Sequence, residues 1–266
     1  MSRVIVVTSG KGGVGKTTCT ANLGSALVKL GKKVALVDAD FGLRNLDLLL
    51  GLENRVVYTA VEAIAGECRL EQALVKDKRQ NGLVLLPAAQ NRNKESVTPT
   101  QMKQLIMKLN KAFDYILVDS PAGIEMGFRN AISAAREALV VTTPEITAVR
   151  DADRVVGLLE AYGIKRTRLI VNRLKPDMIK QNEMMSVEDV LEILAIPLLG
   201  IVPDDKNVIV ASNKGEPLVL GEKKTSVPAT AFLNIARRLE GEKVPLLDLM
   251  SDQDGFLAKI RRFFAG

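Results

Sequence analysis

"SGKGGVGKTT" (residues 9–18) follows directly on the apolar run "RVIVVT" (residues 3–8). Strand, glycine-rich turn, helix is the order that a phosphate-binding loop requires, and residues 10–17 satisfy G-x-x-x-x-G-K-[ST]. Gly12, Gly13 and Gly15 carry no Cβ, so the backbone can curl and turn its N–H groups onto phosphate oxygens. The helix that follows presents its positive N-terminus to the same anion. Lys16 is placed to reach the β- and γ-phosphates, and the Thr17 hydroxyl to ligate Mg²⁺. Gly10, Lys11, Val14 and Thr18 complete the stretch expected to touch nucleotide. A glycine turn with chance lysines would not also sit between a strand and a helix.

Outward from this loop, short apolar runs alternate with segments of helical period. The runs are "RVIVVT", "KVALVD", "LVLLPA", "DYILVD", "EALVVTT", "RLIVNR" and "PLLGIVP". Several are apolar on successive residues, as strands buried on both faces are. Leu23, Ala26, Leu27 and Leu30 mark one helical face, closed by Gly31. Similar signals lie around residues 98–110, 147–161, 186–194 and 227–240. The pattern predicts an α/β fold: a doubly wound, mostly parallel sheet with helices on both faces, of the P-loop NTPase kind, plus a short C-terminal amphipathic helix. Residues 1–240 read as one domain, 241–254 as a linker and 255–266 as a separate tail.

Of the 266 residues, 47% are hydrophobic and 26% charged, the balance of an ordinary soluble protein with a sizeable core. No apolar run approaches the ~18 residues of a membrane span, and the opening residues resemble neither a signal nor a transit peptide. Cys19 and Cys68 supply neither a disulfide framework nor a metal cluster, which fits a reducing cytoplasm. With no histidine, His acid–base catalysis and His metal sites are excluded.

Ligands in open α/β sheets sit beyond the carboxyl ends of strands, so acids there should face the phosphates. "VALVDAD" ends in Asp38 and Asp40, and "YILVDSPAG" reaches Asp119. Asp119 is placed as a Walker B acid, acting on Mg²⁺ directly or through water. Asp40 would hold the attacking water or a Mg²⁺-bound water. Asp38 reads nearly as well as a helix cap or a solvated loop acid. Gly123 offers a backbone N–H to the γ-phosphate. Further on, "LIVNRLKPD" puts Asn172 and Arg173 at another strand end, where the Asn amide suits a purine edge. Pro203 and Asp204 of "GIVPDD" could flank the base, although turn chemistry explains either stretch as readily.

Lys11 is the extra lysine of the loop. A second ammonium folded onto the triphosphate that Lys16 serves would be cramped. Pointing away, it could act in a second subunit's site as an arginine finger does; the alternative is a solvated loop lysine.

"KGGVGKTT" resembles the deviant Walker A motif of the MinD/ParA family of ATPases, whose first lysine contacts nucleotide across an ATP-dependent dimer. The stretches 38–53, 73–90, 119–125, 144–155 and 211–218 are similar to the division-site branch of that family, so the resemblance runs along the whole chain. It implies ATP and Mg²⁺ as cofactors, Lys11 as the trans-acting lysine, Asp40 as the water-positioning residue and Asp119 as the Walker B acid. Arg44, Asn45 and Asp47 would belong to a first switch region and Ser120 to Gly123 to a second. It further implies a homodimer with ATP, recruitment of a MinC-like division inhibitor and release by a MinE-like activator. "VRDADRV", with Arg150, Asp151 and Asp153, is a candidate part of the surface they use; a solvated helix face explains those charges equally well.

The net charge of +6 is unevenly placed: residues 241–254 carry −3 and residues 255–266 carry +3. On a helical wheel Phe256, Leu257, Ile260, Phe263 and Phe264 fall on one side, Lys259, Arg261 and Arg262 on the other. This is the pattern of a basic amphipathic helix lying in an anionic membrane surface, and it predicts a cytoplasmic protein peripheral on the inner membrane face. A terminal helix docked on the core is the plainer reading, but one that needs neither three cations nor an absence of acids. A ParA-type DNA-partition ATPase would share the nucleotide chemistry, yet outside the tail bases and acids alternate, so no nucleic acid is expected as a partner. An iron–sulfur carrier on the same fold would need more than two scattered cysteines. A metabolic P-loop enzyme would leave the tail unexplained, and a non-hydrolysing scaffold is separated by its lack of ATP turnover.

Overall fold

The computed structural model describes residues 2–90, 97–221, 223 and 225–249. The strands are β1 (Arg3–Thr8), β2 (Val34–Asp38), β3 (Val75–Lys76), β4 (Leu83–Leu86), β5 (Tyr115–Asp119), β6 (Glu137–Thr142), β7 (Arg166–Leu174) and β8 (Leu198–Pro203). They form one sheet in the order β3-β4-β2-β5-β1-β6-β7-β8. Every pairing is parallel except that of β3 with β4.

Both faces of the sheet are buried, which is why its strands read as unbroken apolar runs. Val4 and Val6 of β1 pack with Val37 and Val118 into one layer. Ile5 and Val7, pointing the other way, pack with Leu36 and Leu117 into the second. Helices α5 (Pro99–Leu109), α6 (Met126–Ile132), α7 (Ile146–Ala161) and α9 (Val187–Leu194) cover the first layer through Leu105, Phe128, Val155 and Val190. Helices α1 (Lys16–Lys29) and α11 (Val227–Leu239) cover the second through Leu23, Leu27, Phe232 and Ile235. The seven apolar runs all form strands, and the segments of helical period form α1, α5, α7, α9 and α11.

The periodicity did not reveal β3, only two residues long, nor α2 (Leu46–Leu49), α3 (Ala60–Ala65), α4 (Leu70–Ala73), α6, α8 (Pro176–Lys180) and α10 (Lys206–Asn213). Most are too short to show a period. α10 buries no residue and leaves Ile209 61% exposed, so no apolar stripe marks it. It is held at its start instead, where Asp205 Oδ1 accepts the Asn207 N–H at 2.7 Å.

Residues 241–249 of the expected linker run along the domain. The Arg238 guanidinium donates to the carbonyls of Val244, Pro245 and Leu199 at 2.8, 2.6 and 3.0 Å, tying this strap to the amino-terminal end of β8. Leu247 packs against one layer and Leu249 against the other. The expected tail, with Phe256, Leu257, Lys259, Ile260, Arg261, Arg262, Phe263 and Phe264, lies outside the described residues. Among the described residues no helix is long and apolar enough to cross a membrane.

Candidate nucleotide site

Sheet order brings the site together. β5 lies between β2 and β1, and the registers set Asp38 beside Asp119 and Asp119 beside Val7. Two acids and the loop that leaves β1 therefore meet at one end of the sheet. Residues 10–15 form the turn into α1. Gly15 has φ +89°, a left-handed conformation, and a Cβ there would lie 2.3 Å from Asn172 Nδ2. Only glycine fits both constraints.

Lys16 is 8% exposed, and its Nζ lies 3.8 Å from Asp119 Oδ1. Thr20, one turn further along α1, donates its hydroxyl to the same oxygen at 3.0 Å, and the Thr17 side chain bonds Asp119 as well. Burial raises the Asp119 carboxyl above the usual range, although Lys16 and the two threonines pull it down. Asp38 is pushed up to about 8 by burial and then by the neighbouring charge of Asp119. It accepts the N–H groups of Asp40 at 2.9 Å and of Leu46 at 3.3 Å. Asp38 thus anchors the loop before α2, the cap-like role that the sequence left open beside a catalytic one. Arg44, with φ +45°, pairs with Asp47 at 2.5 Å and holds the same loop.

A cavity of about 520 Å³ opens over the loop, walled by residues 11–18, Asp40, Leu43, Asn45, Ala122, Arg173, Leu48 and Leu49 of α2, and Ser212 and Asn213 of α10. Gly123 stands behind this wall, its N–H directed at the Ser9 carbonyl at 3.4 Å. Asn172 is 6% exposed and donates Nδ2 to the Val14 carbonyl at 2.7 Å, fixing the β7 end to the loop. Arg173 also lines a second cavity with Asp204, whose carboxylate lies 3.5 Å from Lys175 Nζ. Pro203 ends β8 opposite Leu174.

Lys11 turns away from the loop's interior. Its Nζ donates to Thr147 Oγ1 at 3.0 Å and lies 3.3 Å from Glu145 Oε2, at the start of α7. The side chain is 41% exposed. Sequence reasoning missed these partners, and also Thr20 and the α2–α10 wall. Thr20 alone left a signal: four residues after Lys16, it falls on the same helical face.

Hard oxygen donors on a hydroxyl and one or two carboxylates, with phosphate and water completing the shell, are what Mg²⁺ takes. Thr17, Asp119 and Asp40 fit that donor set. Among the described residues no group of three or more His, Cys, Asp or Glu could hold a metal alone.

The sheet, the loop and the Lys16–Thr17–Asp119 cluster define a P-loop nucleotide-binding protein. The family profile of the CobQ/CobB/MinD/ParA nucleotide binding domain matches residues 5–218. The septum site-determining protein MinD of Synechocystis sp. is 63% identical over 266 residues, 100% of both chains. The MinC:MinD cell division complex of Aquifex aeolicus contains a chain with a TM-score of 0.86 and 49% identity, covering 92% of this chain and 99% of that one. MinD of Pyrococcus horikoshii, solved with Mg-ADP, has a TM-score of 0.82 and 32% identity over 92% of this chain and 100% of its own. The chain therefore belongs to the CobQ/CobB/MinD/ParA family, on its branch of MinD cell-division ATPases.

Proposed function

We propose that this chain hydrolyses ATP with Mg²⁺, is joined by ATP into a homodimer, and in that form holds an anionic membrane surface and recruits a MinC-like division inhibitor. The observation that carries the reading is the pair of lysines in one loop. Lys16 is buried against Asp119, while Lys11 is half-exposed and directed outward. Loop N–H groups, Lys16 and the N-terminus of α1 bind the phosphates. Thr17 and Asp119 hold Mg²⁺, with Asp40 on its water or on the attacking one. Asn172, Arg173, Pro203 and Asp204 flank the base, and Gly123 reaches the γ-phosphate once the second switch turns inward. Lys11 of each subunit serves its partner's triphosphate.

Leu43, Leu48, Ile124, Met126, Ile146, Ile209 and Val210 are exposed on elements at the carboxyl end of the sheet. Apolar side chains gathered around a nucleotide site support its burial against a second copy. On α7, Arg150 and Asp153 are exposed and available to a MinC-like inhibitor or a MinE-like activator.

In the tail, complete burial of a Phe or Leu contributes up to about 2 kcal/mol, and interfacial burial less. Each cation adds about 1 kcal/mol near an anionic leaflet, while ordering a helix of about ten residues subtracts from both. One tail binds weakly and reversibly; two on one dimer bind far more tightly through effective concentration. Hydrolysis removes the bridging γ-phosphate and frees the subunits. Co-sedimentation with anionic liposomes under ATP, ADP and a non-hydrolysable analogue tests the cycle, with binding expected under ATP and the analogue only. Equal binding in ADP, or by a chain lacking residues 255–266, overturns it.

A further inference from the structure

The turn between β3 and β4 lies outside the phosphate site, yet it holds two walls of that site together. Asp77 is 4% exposed. Its carboxylate grips Arg79 side-on, with Nε at 3.0 Å from Oδ1 and Nη2 at 3.0 Å from Oδ2. It also accepts the Arg79 N–H and Gln80 Nε2, both at 2.9 Å. Arg79 holds the Asp77 carboxyl below the usual carboxylate range despite its burial. The guanidinium so fixed reaches outward. Nη2 donates to the Leu50 carbonyl at the end of α2, and Nη1 to the Gly215 carbonyl just after α10 at 3.2 Å.

Beneath the guanidinium, Gly51 and Gly215 meet backbone to backbone. Both have positive φ, and a Cβ on Gly51 would lie 2.6 Å from the Gly215 carbonyl oxygen. The contact brings the ends of α2 and α10 close. Among the described residues Arg79 hydrogen-bonds both carbonyls, from a rigid planar fork.

We propose that Arg79 is a positioning residue that sets where the α2–α10 wall stands in the cavity that Arg173 also lines, and so shapes the nucleoside end of the pocket but not its phosphate end. Leu48, Leu49, Ser212 and Asn213 of that wall line the cavity of about 520 Å³ together with Thr18 and Arg173. The phosphate loop is fixed independently, through Asn172 and Asp119. The inference rests on the loop being the phosphate site.

Calorimetric titration of the full chain with Mg-ADP and with inorganic tripolyphosphate tests it. Arg79→Ala should weaken ADP by about fivefold or more, the cost of one or two lost hydrogen bonds transmitted to the pocket, and leave tripolyphosphate affinity unchanged. Arg79→Lys, which cannot span both carbonyls, should fall between. Retained tripolyphosphate binding also shows that the variant is folded. Should Arg79→Ala fail to fold, the comparison is read on Arg79→Lys alone. Unaltered ADP affinity, or equal losses for both ligands, overturns the positioning role. Failure of the wild-type chain to bind tripolyphosphate would instead refute the phosphate-loop reading.

Discussion

Replacing Glu145 by Gln tests what the outward lysine is for. In the single subunit the Lys11 ammonium rests between Glu145 and Thr147 at 3.3 and 3.0 Å, with side chains 41% and 55% exposed for the ion pair. A pair so open to water contributes about 0.2–1 kcal/mol, and the neutral bond to Thr147 about 0.5–1.5 kcal/mol. A charge-assisted bond to a partner's phosphate oxygen is worth about 1.5–3 kcal/mol. On the proposed reading the lysine rests here without nucleotide and is drawn away when a second subunit presents its triphosphate. Glu145→Gln removes the ionic part in both subunits, so the ATP-dependent dimer should tighten by about 2- to 30-fold, the upper figure being two losses of 1 kcal/mol. The gain should shrink at high ionic strength, as exposed pairs are screened. Sedimentation velocity with a non-hydrolysable analogue at two salt concentrations measures it, with Lys11→Ala as the variant that should not dimerise. If Lys11→Ala dimerises like the parent, the trans bridge does not exist. If Glu145→Gln weakens the dimer, Glu145 belongs to the interface and is no resting partner.

Three further outcomes are expected. Gly15→Ala forces a side chain into a left-handed position and against Asn172; stability should fall by about 1–3 kcal/mol and ADP binding should be lost, as melting and calorimetry would report. Glu137 is 5% exposed and accepts Arg3 at 2.8 and 2.6 Å and Arg168 at 3.1 Å, which holds its carboxyl below the usual range. Its contribution is complete above the unfolded value of about 4.3 and is lost as pH falls through the lower native one. Glu137→Gln should therefore cost roughly 1.5–3 kcal/mol near neutrality and much less near pH 3; denaturation curves displaced equally at both would refute the pairing. Deletion of residues 255–266 should abolish binding to anionic vesicles while ATP-dependent dimerisation in solution persists.

The fold was legible because its strands are buried twice over. "VALVD" and "YILVD" are apolar on both faces until the strand ends, where the acid reports both the end and the site. Lys16, Thr17 and Asp119 could be placed because local order determined them: a loop must follow β1 and precede α1, and an acid must close a neighbouring strand. Lys11's resting partners could not be placed. Glu145 and Thr147 lie more than a hundred residues away, and nothing in "TPEITAV" marks them as ligands until β6 is seen beside β1. Asp38 was ambiguous for a related reason. Its raised pKa comes from burial at the end of β2 and then from the charge of Asp119 in register beside it. Helix α10 escaped because it has no buried stripe, and Arg79's reach to the wall because the groups it bonds there are backbone carbonyls, which leave no trace in side-chain spacing.

The sheet also separates the two ends that the proposed cycle must connect. The loop, the proposed Mg²⁺ donors and Lys11 stand at the carboxyl ends of the strands, whereas Arg238 ties the departing strap to Leu199 at the amino-terminal end of β8. Strands of five or six residues put about 16–20 Å of packed core between them. From its own pocket the nucleotide does not reach the strap that leads into residues 250–266. A signal carried through the core would need a two-state element, and the hydrogen bonds from Arg238 that hold the strap lie outside the nucleotide site. Dimerisation needs no such path: it changes the number of tails on one particle and leaves each tail as it was. The consequence is measurable. Two copies joined by an engineered crosslink at the nucleotide face should bind anionic vesicles equally well with ATP and with ADP, and a crosslinked dimer that still requires ATP would show that the γ-phosphate acts on the tail through the subunit itself.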